Sequence, residues 1–193
     1  MPCWIKLKSL FALLLLLTVF PAAAESVRAI RADAVKLPAG QLAVSTRFYL
    51  DLPQQLQDAL LQGVPLQFDL SYQLTRPSFA AYKFRFNQWF ADNNTVSYKL
   101  THHPLTNRYR VTVGTFYTEY QTLDAALKAL GAIANWEVLP AGTLNDYAAA
   151  DIGMSVRLTL STRQLPKPFQ INALTSRDWN LDSGWVALRI TGT

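Results

Sequence analysis

Apolar and polar residues alternate along most of the chain, as they do in strands that bury one face. The alternation is clearest in residues 42–50 and 66–75, where every second side chain is apolar or aromatic with few exceptions. Turn signals such as Leu37-Pro38-Ala39-Gly40 and Asp92-Asn93-Asn94 separate such runs. The pattern therefore predicts about nine strands with short connections. Further alternating runs occur at 82–86, 96–100, 109–113, 148–160 and 185–191, with a weaker one at 27–36.

Two segments have helical spacing instead. Asp51 is positioned to cap a helix that ends at Gly63, and Thr122 to cap one that covers 123–130 and ends at Gly131. Both helices are shorter than three turns, so tertiary packing has to stabilise them. Their apolar faces comprise Leu56, Ala59 and Leu60 in the first, and Leu123, Ala126, Leu127 and Leu130 in the second.

These elements predict a mainly β protein. No linker, internal repeat or low-complexity run interrupts residues 25–193, which we therefore expect to form a single β-rich domain. Many short strands with two short helices favour an antiparallel β-sandwich-like fold. An α+β fold is the alternative, because short helices can also gather on one face of an antiparallel sheet.

The first 24 residues have the pattern of a secretory signal peptide. Lys6 and Lys8 precede an apolar run over 10–20, and Ala22-Ala23-Ala24 supplies the small residues expected before a cleavage site at Glu25. The run is shorter than the roughly 20 apolar residues of a membrane span, although retention as an N-terminal anchor is the alternative. Cleavage would remove the one cysteine, Cys3. We therefore expect a periplasmic or secreted protein with no disulfide, no transmembrane segment and no thiol nucleophile.

Several short strings, taken together, resemble a bacterial family known as DUF4390, from about residue 27 to 190. The resemblance implies an exported protein of unassigned activity, and it carries no catalytic residues over to this chain. Family genes often lie beside a gene for a nitrogen-regulation-type sensor histidine kinase, which implies a role in envelope sensing. Residues 77–90 depart from the aromatic stretch that usually follows the family's arginine, here Arg76. The strings are Ala59-Leu60-Leu61-Gln62-Gly63-Val64-Pro65-Leu66, Leu105-Thr106-Asn107-Arg108-Tyr109-Arg110, Leu123-Asp124-Ala125-Ala126-Leu127, Leu165-Pro166-Lys167-Pro168-Phe169-Gln170 and Asp178-Trp179 with Trp185.

Positive charge is concentrated in the middle of the chain. The full sequence has a formal net charge of +5, but residues 70–118 hold six Lys or Arg against one acid, Asp92. These cations alternate with aromatic residues, so three strands in a meander would place aromatics on one face and five cations on the other. We expect that face to bind an anionic partner, the alternative being a solvated face that prevents edge pairing. The candidate binding face comprises Lys83, Arg85, Lys99, Arg108 and Arg110.

A second candidate is the proline-containing segment Leu165-Pro166-Lys167-Pro168-Phe169. Two prolines separated by one residue favour an extended segment without ladder hydrogen bonds. The segment is predicted to be either a recognition strip or a guard that keeps an edge strand from pairing.

Known catalytic patterns are largely missing from the sequence. There is no P-loop and no G-x-G-x-x-G, and Arg157 stands where a nucleophile elbow needs its second glycine. The adjacent His102 and His103 would point to opposite faces of a strand, which disfavours a shared metal ion. We therefore assign no catalytic, metal or cofactor-binding residue, and expect no cofactor.

The function predicted from sequence is that of a periplasmic binding module, accessory to an envelope sensor histidine kinase. Its partner would be an envelope protein or another anionic envelope component, whereas export argues against nucleic acid. Two alternatives stay open. One is an envelope-directed hydrolase that uses carboxylates such as Asp69 or Asp151, and the other is a purely structural envelope protein.

Overall fold

The computed structural model of the protein describes residues 26–76, 78, 82–83 and 94–192. Within these residues, short strands form two sheets, and three α-helices and three 3₁₀ turns connect them. The strands are β1 (Val27–Lys36), β2 (Leu42–Leu50), β3 (Leu66–Arg76), β4 (Thr95–His103), β5 (Arg108–Val113), β6 (Phe116–Tyr120), β7 (Ala132–Val138), β8 (Gly153–Leu160), β9 (Val186–Ala187) and β10 (Arg189–Gly192). The helices are α1 (Gln54–Leu61), α2 (Leu123–Leu130) and α3 (Lys167–Thr175), and the 3₁₀ turns are Ala149–Asp151, Thr162–Gln164 and Arg177–Trp179.

The two sheets have four and six strands. The four-stranded sheet has the order β10-β1-β2-β7, and the six-stranded sheet has the order β6-β5-β4-β3-β8-β9. All the pairings are antiparallel except that between β1 and β10, which is parallel. The predicted mainly β fold is therefore confirmed, with one parallel pair and a third helix that the pattern did not predict.

The inward faces of both sheets contribute to one apolar core. In β2 and β3 every second side chain is buried, as the alternation predicts, because a strand directs successive side chains to opposite faces. Tyr72 of β3 meets Trp136 of β7 edge-on, with ring centroids 5.3 Å apart, and its hydroxyl accepts a hydrogen bond from the Leu139 N–H. These contacts join the six-stranded sheet to the four-stranded one.

Helix α2 begins where the sequence predicts, but α1 does not. The Thr122 hydroxyl caps α2 by accepting a hydrogen bond from the Ala125 N–H at 3.2 Å. In α1 the N-cap is Pro53 rather than Asp51, and no side chain caps it. Helix α1 nevertheless buries the three apolar residues predicted for its face.

The predicted extended conformation of residues 165–169 is wrong. Pro166 is the N-cap of α3, and Lys167 and Pro168 begin the helix. Proline is compatible with the first turn of a helix, where its missing N–H would have no intrahelical acceptor. Two prolines in sequence were therefore as consistent with a helix start as with an extended strip.

Two other predicted strands need correction or lie outside the described residues. The run at 148–160 becomes a strand only from Gly153, after the 3₁₀ turn Ala149–Asp151. Of the run at 82–86, Tyr82 and Lys83 have helical backbone, and 84–86 lie outside the described residues, as do Asp92 and Asn93 of the predicted hairpin. In the part of the chain that is described, no helix combines the length and apolarity needed to cross a bilayer.

Candidate functional site

Three of the five predicted cations share the outward side of the β4–β5 hairpin. The register pairs Lys99 with Thr112, Thr101 with Arg110 and His103 with Arg108, whereas the intervening pair Leu100 and Val111 is buried. We call the outward set the hairpin face, and it consists of Lys99, Thr101, His103, Arg108, Arg110 and Thr112. The antiparallel ladder holds these side chains on a common surface. The predicted meander of three cationic strands is only partly correct, because β3 pairs with the other side of β4 and Lys83 has helical backbone.

Arg110 is held by two neighbours on the edge strand β6. Its Nη2 and Nε donate to Glu119 Oε1 at 2.6 and 3.2 Å, and its guanidinium lies 4.3 Å from the centroid of the Tyr117 ring. The hydrogen bond from Arg110 is the main cause of a lowered pKa at Glu119, and the charges of Arg110, Arg108 and His103 act in the same direction. Glu119 is therefore a stable anion that offsets the charge of Arg110.

Lys99 and Arg108 differ from Arg110 in their ion pairing. Among the described residues, neither has a carboxylate within ion-pair distance. Lys99 is exposed beside Gln67 and Thr112, and Arg108 is half-buried beside His103. Of the other two predicted cations, Lys83 is exposed and Arg85 lies outside the described residues.

His102 and His103 point to opposite sides of β4. His102 is buried against the Tyr109 ring, and its Nε2 lies 3.2 Å from Asn107 Oδ1 in the hairpin turn. Asn107 has a positive φ of 50°, a conformation that asparagine tolerates better than most residues. His102 thus stabilises the turn, while His103 belongs to the hairpin face.

Asp69 and Asp151, the carboxylates considered for a hydrolase, lie on different elements of the fold. Asp69 lies on β3 and accepts hydrogen bonds from Ser97 and Gln67, at 2.7 and 3.2 Å. Asp151 ends the 3₁₀ turn before β8. No three residues of the His, Cys, Asp and Glu types converge within residues 26–76 and 94–192 in a way that would hold a metal ion.

The segment 165–169 provides packing around a buried tryptophan. Leu165 is buried, and Phe169 stacks at a tilt on Trp179, with 5.7 Å between ring centroids. Pro166, Lys167 and Pro168 are exposed at the start of α3. Of the five residues, Leu165 is therefore buried, Phe169 is partly buried and the other three are exposed.

A second group of cations lies on the outward face of the four-stranded sheet. Arg28 and Arg31 of β1, Arg47 of β2 and Arg189 of β10 are all exposed, and we call this set the arginine face. Arg31 bonds to Asp33, and Arg28 lies 5.0 Å from the centroid of the Tyr49 ring. Arg47 and Arg189 have no carboxylate partner in the described part of the chain.

A β-bulge creates the arginine face. The β1–β2 register shifts between Ala29 and Arg31, so that Ile30 is an extra residue in β1. Without this residue, side chains three positions apart would face opposite sides of the strand, but the bulge places Arg28 and Arg31 on the same side. It also sets Arg31 directly opposite Arg47, and like charges in such cross-strand pairs are destabilising.

Sequence reasoning missed this second group. Residues 28, 31, 47 and 189 do not form a charged run, and only strand pairing brings them together. The alternation in 42–50 already assigned Arg47 to the polar face of its strand. The bulge and the parallel pairing of β10 with β1 had no comparable local signal.

Residues 24–189 match the family model described as "Domain of unknown function (DUF4390)". The chain belongs to the DUF4390 family. The match covers most of the sequence, so the resemblance drawn from the five strings is confirmed. No curated protein and no solved structure matches this DUF4390 chain. Both cationic faces lie within the part of the chain that the family model covers.

Proposed function

We propose that this DUF4390 protein is an exported interaction module that works in the periplasm as an accessory to an envelope sensor histidine kinase. Its hairpin face binds an anionic surface of the partner. Export is supported by the signal-peptide pattern of residues 1–24, with cleavage between Ala24 and Glu25. The kinase as partner is supported by the gene neighbourhood that family membership implies.

The proposal rests mainly on the ion pairing of Lys99 and Arg108. Both project from a hairpin whose backbone is fixed by pairing on either side, and neither has a carboxylate partner among the described residues. Because the backbone beneath these two cations is already ordered, binding an anion costs the freedom of their side chains but not that of the backbone. Electrostatic complementarity of this kind increases the association rate and selects partners of opposite charge.

The hydrolase alternative has less support in the geometry. Hydrolysis by paired carboxylates needs two such groups around one bond, with distinct acid and base roles. Asp69 is engaged with Ser97 and Gln67, and Asp151 belongs to a 3₁₀ turn in a different part of the chain. A purely structural role would make no use of Lys99 and Arg108, and the same experiment therefore tests it.

The test is photo-cross-linking in the native envelope. A photoreactive amino acid replaces the exposed Tyr117 of β6, which pairs with Thr112 and lies on the same side of the sheet as the hairpin face, and captured species are identified by mass spectrometry. We expect capture of the exported domain of the sensor kinase, and loss of that product in the double variant Lys99→Glu, Arg108→Glu. Arg163→Glu with Arg177→Glu, a double charge reversal at exposed residues of two 3₁₀ turns, is the matched control and should retain capture.

Two results would contradict the proposal. Recovery of only glycan would favour an envelope-directed hydrolase or structural protein, and undiminished capture by the double variant would exclude the hairpin face. The amino terminus of the recovered protein tests export separately, because cleavage as proposed leaves Glu25 as the first residue.

A further inference from the structure

Within the described part of the chain, the first six residues of β1 have a partner strand on one side only. Strand β2 pairs with β1 along its whole length, from Val27 opposite Leu50 to Lys36 opposite Leu42. On the other side, β10 pairs with β1 only from Asp33 to Lys36. With respect to residues 26–76 and 94–192, residues 27–32 therefore form a free edge, where alternate backbone N–H and C=O groups face away from β2.

The last strands leave this edge open because the chain changes sheets between them. Val186 and Ala187 pair with β8 in the six-stranded sheet, and Arg189 then begins the pairing with β1. Leu188 lies between the two, buried, with its N–H donating to the Met154 carbonyl at 2.9 Å. The change of sheet opens a cleft of about 750 Å³, lined by residues 29–33 of β1 and 186–189.

The cleft has small apolar walls and a cationic rim. Ala29, Ala32 and Ala187 leave room for another backbone to approach, and Ile30 at the bulge is 62% exposed. Arg31 and Arg189 belong both to the cleft lining and to the arginine face. Bulges of this kind are frequent at sheet edges and beside functional sites.

We propose that residues 27–32 of β1 form a β-augmentation site for an extended acidic segment of a partner protein. A strand added here pairs its backbone with the free edge, and its side chains alternate between two environments. Those on one side meet the small apolar wall of the cleft, and those on the other meet the arginine face. The site therefore selects a segment in which acidic and small apolar residues alternate.

Charge supports this occupant over an apolar or basic one. The arginine face includes four arginines, and Asp33 is engaged by only one of them. An acidic side chain next to Arg31 on the added strand would offset part of the unfavourable pairing of Arg31 with Arg47 across β1 and β2. The site lies on a different sheet from the hairpin face, so it goes beyond the proposed function and does not depend on it.

The test uses synthetic peptides of about ten residues, the upper end of ordinary strand length. The probe alternates Glu and Val, a control alternates Lys and Val, and a third peptide has the probe sequence with every second amide N-methylated. Binding is measured by fluorescence anisotropy, and hydrogen exchange of the protein's amides is followed with and without the probe. We expect the probe alone to bind, with slower exchange in residues 27–32 because these amides gain hydrogen-bond partners.

Charge-reversed variants connect binding to the arginine face. Arg47→Glu and Arg189→Glu should each weaken binding of the Glu–Val probe by about tenfold or more. Both residues are exposed and unpaired in the described chain, and circular dichroism should confirm that the variants fold. Lys99→Glu with Arg108→Glu is the matched control, and it should bind the probe as the wild type does.

Several results would overturn the proposal. These are no binding of the Glu–Val probe at millimolar concentration, equal binding of the N-methylated peptide, or binding without slower exchange in residues 27–32. Vesicles of phosphatidylglycerol that bind with the same dependence on Arg47 and displace the probe would assign the arginine face to a membrane surface instead. None of these results bears on the hairpin face, whose failure would appear only in the cross-linking experiment.

Discussion

At the scale of single residues, Gly131 is constrained by a close backbone contact. Its φ is −77°, so left-handed geometry is not what requires glycine here. A Cβ at this position would lie 2.3 Å from the Phe48 carbonyl oxygen, and the Phe48 N–H donates to the Gly131 carbonyl at 2.9 Å. The chain can pass this close to β2 at the end of α2 only because residue 131 has no side chain.

We expect Gly131→Ala to lower the free energy of unfolding by about 1–3 kcal/mol, the usual cost of an extra methyl group in a tight site. Urea denaturation followed by circular dichroism measures the change. Gly192→Ala is the control, because its Cβ would meet only the Ala149 side chain at 3.3 Å, and it should cost clearly less. Equal losses for both variants would show that the contact with Phe48 is not the cause.

The ionisation of Asp182 makes the stability of the fold depend on pH in the acid range. Arg157 donates from Nε and Nη2 to its two carboxylate oxygens, and this hydrogen bonding is the main cause that lowers the pKa of Asp182. The Gly184 N–H contributes in the same direction. A group whose pKa is lower in the folded state stabilises the fold above its unfolded pKa of about 3.9, and this contribution is lost as the pH falls through the folded value.

Stability of the wild type should therefore fall between about pH 5 and pH 2 more steeply than that of Asp182→Asn. The measurement is the urea midpoint as a function of pH. Asp146→Asn, which removes an exposed carboxylate with no ion pair among the described residues, should keep the steep fall. If the urea midpoint of Asp182→Asn fell with decreasing pH as steeply as that of the wild type, other carboxylates would dominate acid unfolding.

At the scale of elements, prediction succeeded where the local sequence signal fitted only one type of structure. The alternation in β2 and β3 assigned each side chain to its face because strand geometry has a period of two. The hydroxyl of Thr122 and the apolar spacing of 123–130 were enough to predict α2. The helix at Lys167–Thr175 was missed because prolines at its start are equally compatible with an extended segment.

Helix α2 offers a direct test of its cap. Replacing Thr122 by alanine removes the acceptor for the Ala125 N–H and should cost about 1 kcal/mol of stability. Thr122→Ser keeps a hydroxyl acceptor and should cost much less. Thermal unfolding of the two variants beside the wild type gives the comparison, and a loss shared by both would point to the threonine methyl group rather than the cap.

At the scale of the whole molecule, two cationic faces lie on the outward sides of different sheets. The hairpin face was predictable in part, because its cations come from one continuous segment whose alternation is visible in sequence. The arginine face was not, because it depends on a bulge at Ile30 and on a parallel pairing of residues about 150 positions apart, which no local pattern records.

Because the faces share no residue, charge reversals on them should act independently. We expect Lys99→Glu with Arg108→Glu to abolish capture of the kinase domain while leaving binding of the acidic peptide intact. Arg47→Glu should weaken binding of the acidic peptide by about tenfold or more and leave capture of the kinase domain intact. A variant with all three changes should show the sum of the two effects. If substitutions on one face alone reduced both capture of the kinase domain and binding of the acidic peptide, the two faces would form one continuous site.

The parallel pairing of β10 with β1 also has a consequence for the time at which the domain matures. Strand β1 is among the first parts of the domain to be synthesised, whereas Arg189–Gly192 is among the last. The four-stranded sheet cannot acquire its full set of strands until Arg189–Gly192, about 150 positions further along the sequence than its partner residues in β1, is available to pair. Until then the whole edge of β1 that faces away from β2 is open to pairing with other polypeptides, so the folding intermediate is more exposed to edge-to-edge association than the finished domain.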